Sequence, residues 1–73
     1  MFESSEEILL LISKKIKSER RLKKISQTDL ANKSGVSFGS IKRFETSGEI
    51  SLSSLIKILI ALNLMDDVRR LII

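Results

Sequence analysis

Apolar residues recur along this chain at intervals of three and four, and no run alternates with polar residues long enough to make a strand. Ser4, Ser5, Glu6 and Glu7 form a capping-box pattern, with Ser4 accepting from the Glu7 N–H and Glu7 reaching back. The pattern predicts a first helix to about residue 23, with Ile8, Ile12, Ile16 and Arg20 on one face and Leu9 flanking it. Leu10 and Leu11 make the amino end too broadly apolar for a helix exposed on its other side, so another part of the fold or a partner chain is expected to cover it. Ser26 caps a short second helix over 27–33, and Gly35 falls where a left-handed residue ends such a helix. Ser37 caps a third helix to about 46. After a break at 46–49, Ser51 caps a fourth over 52–62, whose Leu55, Ile58, Leu59 and Leu62 form an apolar stripe. Asn63 ends it, and a fifth helix from near 65 carries Val68, Leu71 and Ile72. The pattern is all-α.

At 73 residues the chain is expected to form one domain over 1–73, small enough to bury only roughly 60% of its unfolded surface. It has neither Cys nor His, which excludes disulfides and a His/Cys zinc site. Asp66 and Asp67 read as a helix start, since two adjacent acids do not surround an ion, and neither metal nor cofactor is expected. No Ser, Lys or carboxylate has a neighbouring base to activate it, so no catalytic residue and no enzyme is expected. The uncharged apolar stretch at 8–12 falls far short of the ~20 residues of a membrane span. The first charges are acidic, unlike those of a secretory signal, and a cytoplasmic location without membrane contact is expected.

Charge sharpens the picture. The net +4 hides a segment, residues 14–43, with ten basic and two acidic side chains, a local excess of eight. Residues 1–13 hold three acids and no base, and residues 44–73 hold three bases and four acids. Phosphate neutralisation needs such a local excess, although a lysine-rich solvated face has the same composition.

Within the basic segment, two short helices meet at a tight turn containing glycine, the outline of a helix-turn-helix at about 26–46. Ala31 is small where the helices would cross, Gly35 supplies the positive φ of the turn, and Ile41 and Phe44 face inward at i, i+3. Ser40, Lys42 and Arg43 are left to face outward.

The run Ile16-x-x-x-Arg20, then Ile25-Ser26-Gln27-x-x-Leu30-Ala31-x-x-x-Gly35-Val36-Ser37-x-x-x-Ile41-x-x-Phe44-Glu45, resembles the phage repressor/Cro (XRE-type) DNA-binding domains over roughly residues 14–64. The resemblance implies a compact five-helix, lambda-repressor-like domain whose third helix enters the major groove of double-stranded DNA, as a homodimer on a pseudo-palindromic operator. It implies a transcriptional regulator, a repressor in the first instance. Ser37, Phe38, Gly39 and Ser40 would point at base edges, and Arg43 would read a guanine through O6 and N7. Gln27, Lys42, Thr46 and Ser47 would touch phosphate. Arg20 and Glu45 match positions that form an internal ion pair in these domains. Phe38 and Gly39 depart from the Gln-type readers frequent in the family: Phe38 would lie against a thymine methyl, or instead cap the core, and Gly39 would admit a close backbone approach.

The stretch Arg43-Phe44-Glu45-x-x-Gly48-x-Ile50-Ser51-Leu52, with residues 62–67, is similar to HipB-like regulators. That alternative implies an antitoxin that binds a HipA-type kinase and autoregulates its operon. The alternative of another class is a protein-interaction module that kept the fold and lost DNA binding. Leu71, Ile72 and Ile73 favour self-association through the fifth helix, with the 9–11 end of the first.

Overall fold

Among the described residues, serine starts four of the five helices. The computed structural model describes residues 4–72, with α1 at Ser5–Leu22, α2 at Gln27–Ser34, α3 at Phe38–Ser47, α4 at Leu52–Ala61 and α5 at Met65–Ile72. Ser4, Ser26, Ser37 and Ser51 each stand in extended backbone and accept a hydrogen bond from the N–H three residues on, at 3.0–3.1 Å. At α2 the box is complete, the Asp29 carboxylate accepting from the Ser26 N–H. At α1 the reciprocal half differs from expectation. The Glu7 carboxylate accepts from the Ser4 hydroxyl at 3.0 Å. Ile73, expected at the apolar end of α5, lies outside the described residues.

Short connections close the first four helices. Gly35 and Gly48 adopt φ of +77° and +82°, and their N–H groups donate back to Ala31 and Phe44. Lys24 and Asn63 take the same left-handed region after α1 and α4. Asn tolerates that conformation better than most residues, which is why Asn63 is a serviceable stop.

The core is formed by Ile16, Leu30, Val36, Ile41, Phe44, Ile58 and Leu62, drawn from α1, α2, the turn, α3 and the α4 end. Ile25, Ala31, Ile50, Leu55, Leu59, Ala61 and Leu64 pack around them. Each fully buried aliphatic or aromatic side chain contributes roughly 1.5–3 kcal/mol over an exposed one. The α1 face departs from the expected line: Ile16 and Arg20 are buried, but Ile8 and Ile12 remain 44% and 37% exposed. The buried line instead runs through Ser13, which is fully enclosed, because α3 crosses α1 where only a small side chain fits. The Ser13 hydroxyl donates to the Leu10 carbonyl of its own helix at 2.8 Å, so its burial leaves no polar atom unpaired. One turn earlier, Gly48 at the end of α3 stands against the Leu9 backbone; a Cβ there would lie 2.9 Å from the Leu9 carbonyl carbon.

α5 packs on α4, with Val68 half-buried and Leu71 and Ile72 exposed. Leu11, Ile12 and Ile16 of α1 face Leu59, Leu64 and Val68 across an open apolar groove of about 430 Å³. No helix among the described residues is long and apolar enough to cross a membrane.

Candidate nucleic-acid interface

The site is organised by what lies beneath it. Leu30, Val36, Ile41 and Phe44 are buried, so α2, the turn and α3 share one core and cannot move separately without breaking it. Below the same helices runs a polar tie. Arg20 Nε donates to Glu45 Oε2 at 2.7 Å and Nη2 to Oε1 at 3.0 Å, a fork that fixes orientation as well as distance. Arg20 Nη1 donates to the Ile25 carbonyl at 2.7 Å, and Gln27 Nε2 donates to Glu45 Oε1 at 2.9 Å. One cluster thereby joins α1, the α1–α2 corner, α2 and α3, with the two charged side chains only 10% and 2% exposed. No buried side-chain nitrogen or oxygen among the described residues lacks a partner.

With one face so anchored, α3 turns its other face outward. Ser37, Phe38, Gly39, Ser40, Lys42, Arg43, Thr46 and Ser47 are all exposed. Gly39, Lys42, Arg43 and Thr46 succeed one another at helical spacing and, with Ser47 and Glu49, line a shallow open groove along the helix. At its start, Ser37 accepts from the Ser40 N–H and donates to the Ser40 oxygen at 2.8 Å, which leaves the Ser40 O–H as a donor. Phe38 is 46% exposed and not part of the core cluster; it stands beside Thr28, Ala31 and Asn32 of α2. The alternative in which Phe38 caps the core is therefore set aside.

Four polar residues have partners that sequence reasoning did not anticipate. Thr46 and Ser47 donate their hydroxyls to the carbonyls of Lys42 and Arg43, each at 2.8 Å, so a phosphate contact from either requires the side chain to rotate off its own helix. Gln27 is engaged with Glu45, which leaves one amide hydrogen and the amide oxygen for other use. Arg43 pairs through Nη2 with Glu49 Oε2, a residue that sequence reasoning passed over as part of a break. The available signal was Gly48: a left-handed residue after α3 folds the chain back, returning the next side chain toward the helix it has just left.

Residues 16–65 match the helix-turn-helix family. The chain belongs to that family, in its XRE and Cro type. No curated protein matches the chain. The five helices are those of a compact, lambda-repressor-like helix-turn-helix domain, with the motif at α2 and α3. Membership carries DNA binding in transcriptional regulation with it. The match begins at Ile16 and ends at Met65, so the first eleven residues of α1 and nearly all of α5 lie outside it. Among the described residues, those two flanks hold most of the exposed large apolar side chains: Ile8, Leu9, Leu10, Leu11, Ile12, Leu71 and Ile72.

Proposed function

We propose that this protein is a transcriptional repressor that binds a pseudo-palindromic operator as a homodimer, with α3 in the major groove. The observation that carries this reading is the outward face of α3: exposed Ser40, Lys42 and Arg43 and a half-exposed Phe38, on a helix immobilised from behind by its core and by the Arg20–Glu45 fork. Arg43 reads a guanine through O6 and N7, the Ser37 and Ser40 hydroxyls address neighbouring base edges, and Phe38 meets a thymine methyl. Gly39 lets the backbone approach, Lys42 neutralises phosphate, and Gln27 donates a hydrogen bond to it. Thr46 joins the phosphate contacts after releasing the Lys42 carbonyl.

The dimer reading is supported by the uncovered apolar flanks. Residues 9–11 and α5 would meet a second copy through their exposed Leu9, Leu10, Leu11, Leu71 and Ile72. A toxin-partnered regulator is the second reading, favoured by the same flanks, because a different protein covers them equally well. Sedimentation of the wild type and Leu71→Glu separates the two. A concentration-dependent dimer lost in the variant supports self-association; a monomer at high concentration, unchanged by the substitution, refutes it.

The function is tested by fluorescence anisotropy with a duplex from the protein's own upstream region and a scrambled control. Tighter binding to the upstream duplex at near-physiological salt is expected, and Arg43→Ala is expected to remove about 1–3 kcal/mol of that preference while weak non-specific binding survives. Flat titrations for the wild type would instead mean a protein-interaction module.

A further inference from the structure

The Arg43–Glu49 pair has no evident role in holding the fold. Both side chains are largely exposed, at 72% and 59%, and surface ion pairs contribute little to stability. Glu49 is nevertheless firmly positioned. Its N–H donates to the Ser47 hydroxyl at 3.2 Å, and that hydroxyl donates to the Arg43 carbonyl at 2.8 Å. Its carboxylate returns to the Arg43 guanidinium, so the ring closes on the residue where it began. Gly48, pressed against the Leu9 backbone, fixes the turn on which this ring is built.

We infer that Glu49 is a specificity-determining residue that holds Arg43 for base reading and penalises contact with phosphate alone. The inference rests on the DNA-binding reading of α3. A guanidinium has five N–H donors and the contact with Glu49 takes one, so a two-bond fork to O6 and N7 of a guanine is still available. An unpaired arginine at this place would swing to the nearest phosphate of any sequence, where it adds affinity without discrimination. With Glu49 beside it, that swing breaks an ion pair and leaves a carboxylate facing the polyanion. Only a base offering two acceptors where Arg43 already points compensates. Specificity gained by raising the cost of the wrong complex is a recognised alternative to strengthening the right one.

The test begins with selection of duplexes from a random pool by the wild-type protein. The enriched duplex and a scrambled one of equal length are then titrated with wild type, Glu49→Gln, Arg43→Ala and the double variant across a salt series. Circular dichroism melting of Glu49→Gln is expected to match the wild type, as the exposed pair predicts. Glu49→Gln is expected to bind the scrambled duplex roughly 3–10-fold more tightly, with a salt slope steeper by about one phosphate contact, and to lose a similar factor in the selected-to-scrambled ratio. In the Arg43→Ala background the same substitution is expected to leave that ratio unchanged, because the effect runs through Arg43. An unchanged or increased ratio for Glu49→Gln overturns the inference. So does an equal loss with and without Arg43, which would mean general charge rather than arginine positioning. If the wild type enriches no duplex and binds the whole pool alike, the DNA-reading assignment itself fails, and the role of Glu49 falls with it before any variant is made.

Discussion

Gly48→Ala is expected to destabilise the protein far more than Gly35→Ala, although each glycine ends a helix in the same left-handed conformation. The φ angles, +82° and +77°, impose a similar conformational cost of about 1–2 kcal/mol on an L-residue. At Gly35 no atom lies within 4 Å of the added Cβ, so that cost is the whole effect. At Gly48 the methyl group would stand 2.9 Å from the Leu9 carbonyl carbon and 3.0 Å from both its oxygen and its Cβ. Two of those three atoms are backbone in an 18-residue helix, so no rotamer change relieves them and α1 has to part from α3. Overpacking of this kind adds about 1–3 kcal/mol. The total of roughly 2–5 kcal/mol is set against a net stability of about 4–11 kcal/mol for a chain of this length. Urea unfolding followed by far-ultraviolet circular dichroism compares the two, with the shift in midpoint at constant slope as the readout. Asn in place of each glycine separates the causes, because Asn tolerates the left-handed region but still carries a Cβ. Gly35→Asn is expected to be milder than Gly35→Ala, whereas Gly48→Asn stays as damaging as Gly48→Ala. Equal midpoints for the two alanine variants, or recovery at position 48 with Asn, would refute the steric argument.

Other perturbations follow from the same geometry. Glu45→Gln leaves the Arg20 charge buried without its counter-charge and is expected to lower stability by about 3–5 kcal/mol in urea unfolding. Arg20→Lys is expected to recover little of the native stability, since an ammonium has no fork to match two carboxylate oxygens and the Ile25 carbonyl. Ser13→Ala is expected to be nearly neutral, because the hydroxyl bonds only within its own helix, whereas Ser13→Leu overfills the α1–α3 crossing by about 1–3 kcal/mol or more. Phe38→Ala is expected to shift the melt by no more than about 0.5 kcal/mol while weakening binding to a selected duplex; a large loss of stability would return Phe38 to the core.

Much of this fold is legible along the chain because its punctuation is local. Ser26, Ser37 and Ser51 cap helices through bonds spanning three residues, and Gly35 ends one through its own φ, so neighbouring sequence suffices to find them. The pattern of Leu30, Ile41, Phe44, Ile58 and Leu62 is likewise periodic and is buried as expected. What the chain conceals are the places where helices cross. Ser13 reads as an ordinary polar position until α3 lies on it, and Ile12 looks like core until that crossing rotates the buried line away from it. Gln27 has an amide that serves phosphate or carboxylate equally well, and only the approach of Glu45 decides which it meets in the free protein. The Arg43–Glu49 pair depends on the chain reversal at Gly48, which no periodicity encodes.

The first turns divide the helices electrically. α1, α2 and α5 carry acids in their first turns, Glu6 and Glu7, Asp29, and Asp66 and Asp67, which offset the partial positive charge at a helix start. α3 and α4 carry none, and their caps, Ser37 and Ser51, are neutral. α1, α2 and α5 thus offset their own dipoles, while α3, the proposed recognition helix, keeps an unopposed field at its start, as does α4. Ser37→Asp makes the opposition measurable: a carboxylate caps at least as well as the hydroxyl and gains about 0.3–1 kcal/mol from the dipole, so the domain is expected to melt no lower than the wild type. The same charge extinguishes the field where a polyanion would meet it. Stability and recognition therefore make opposite demands on this one side chain, and serine is the residue that meets the first without forfeiting the second.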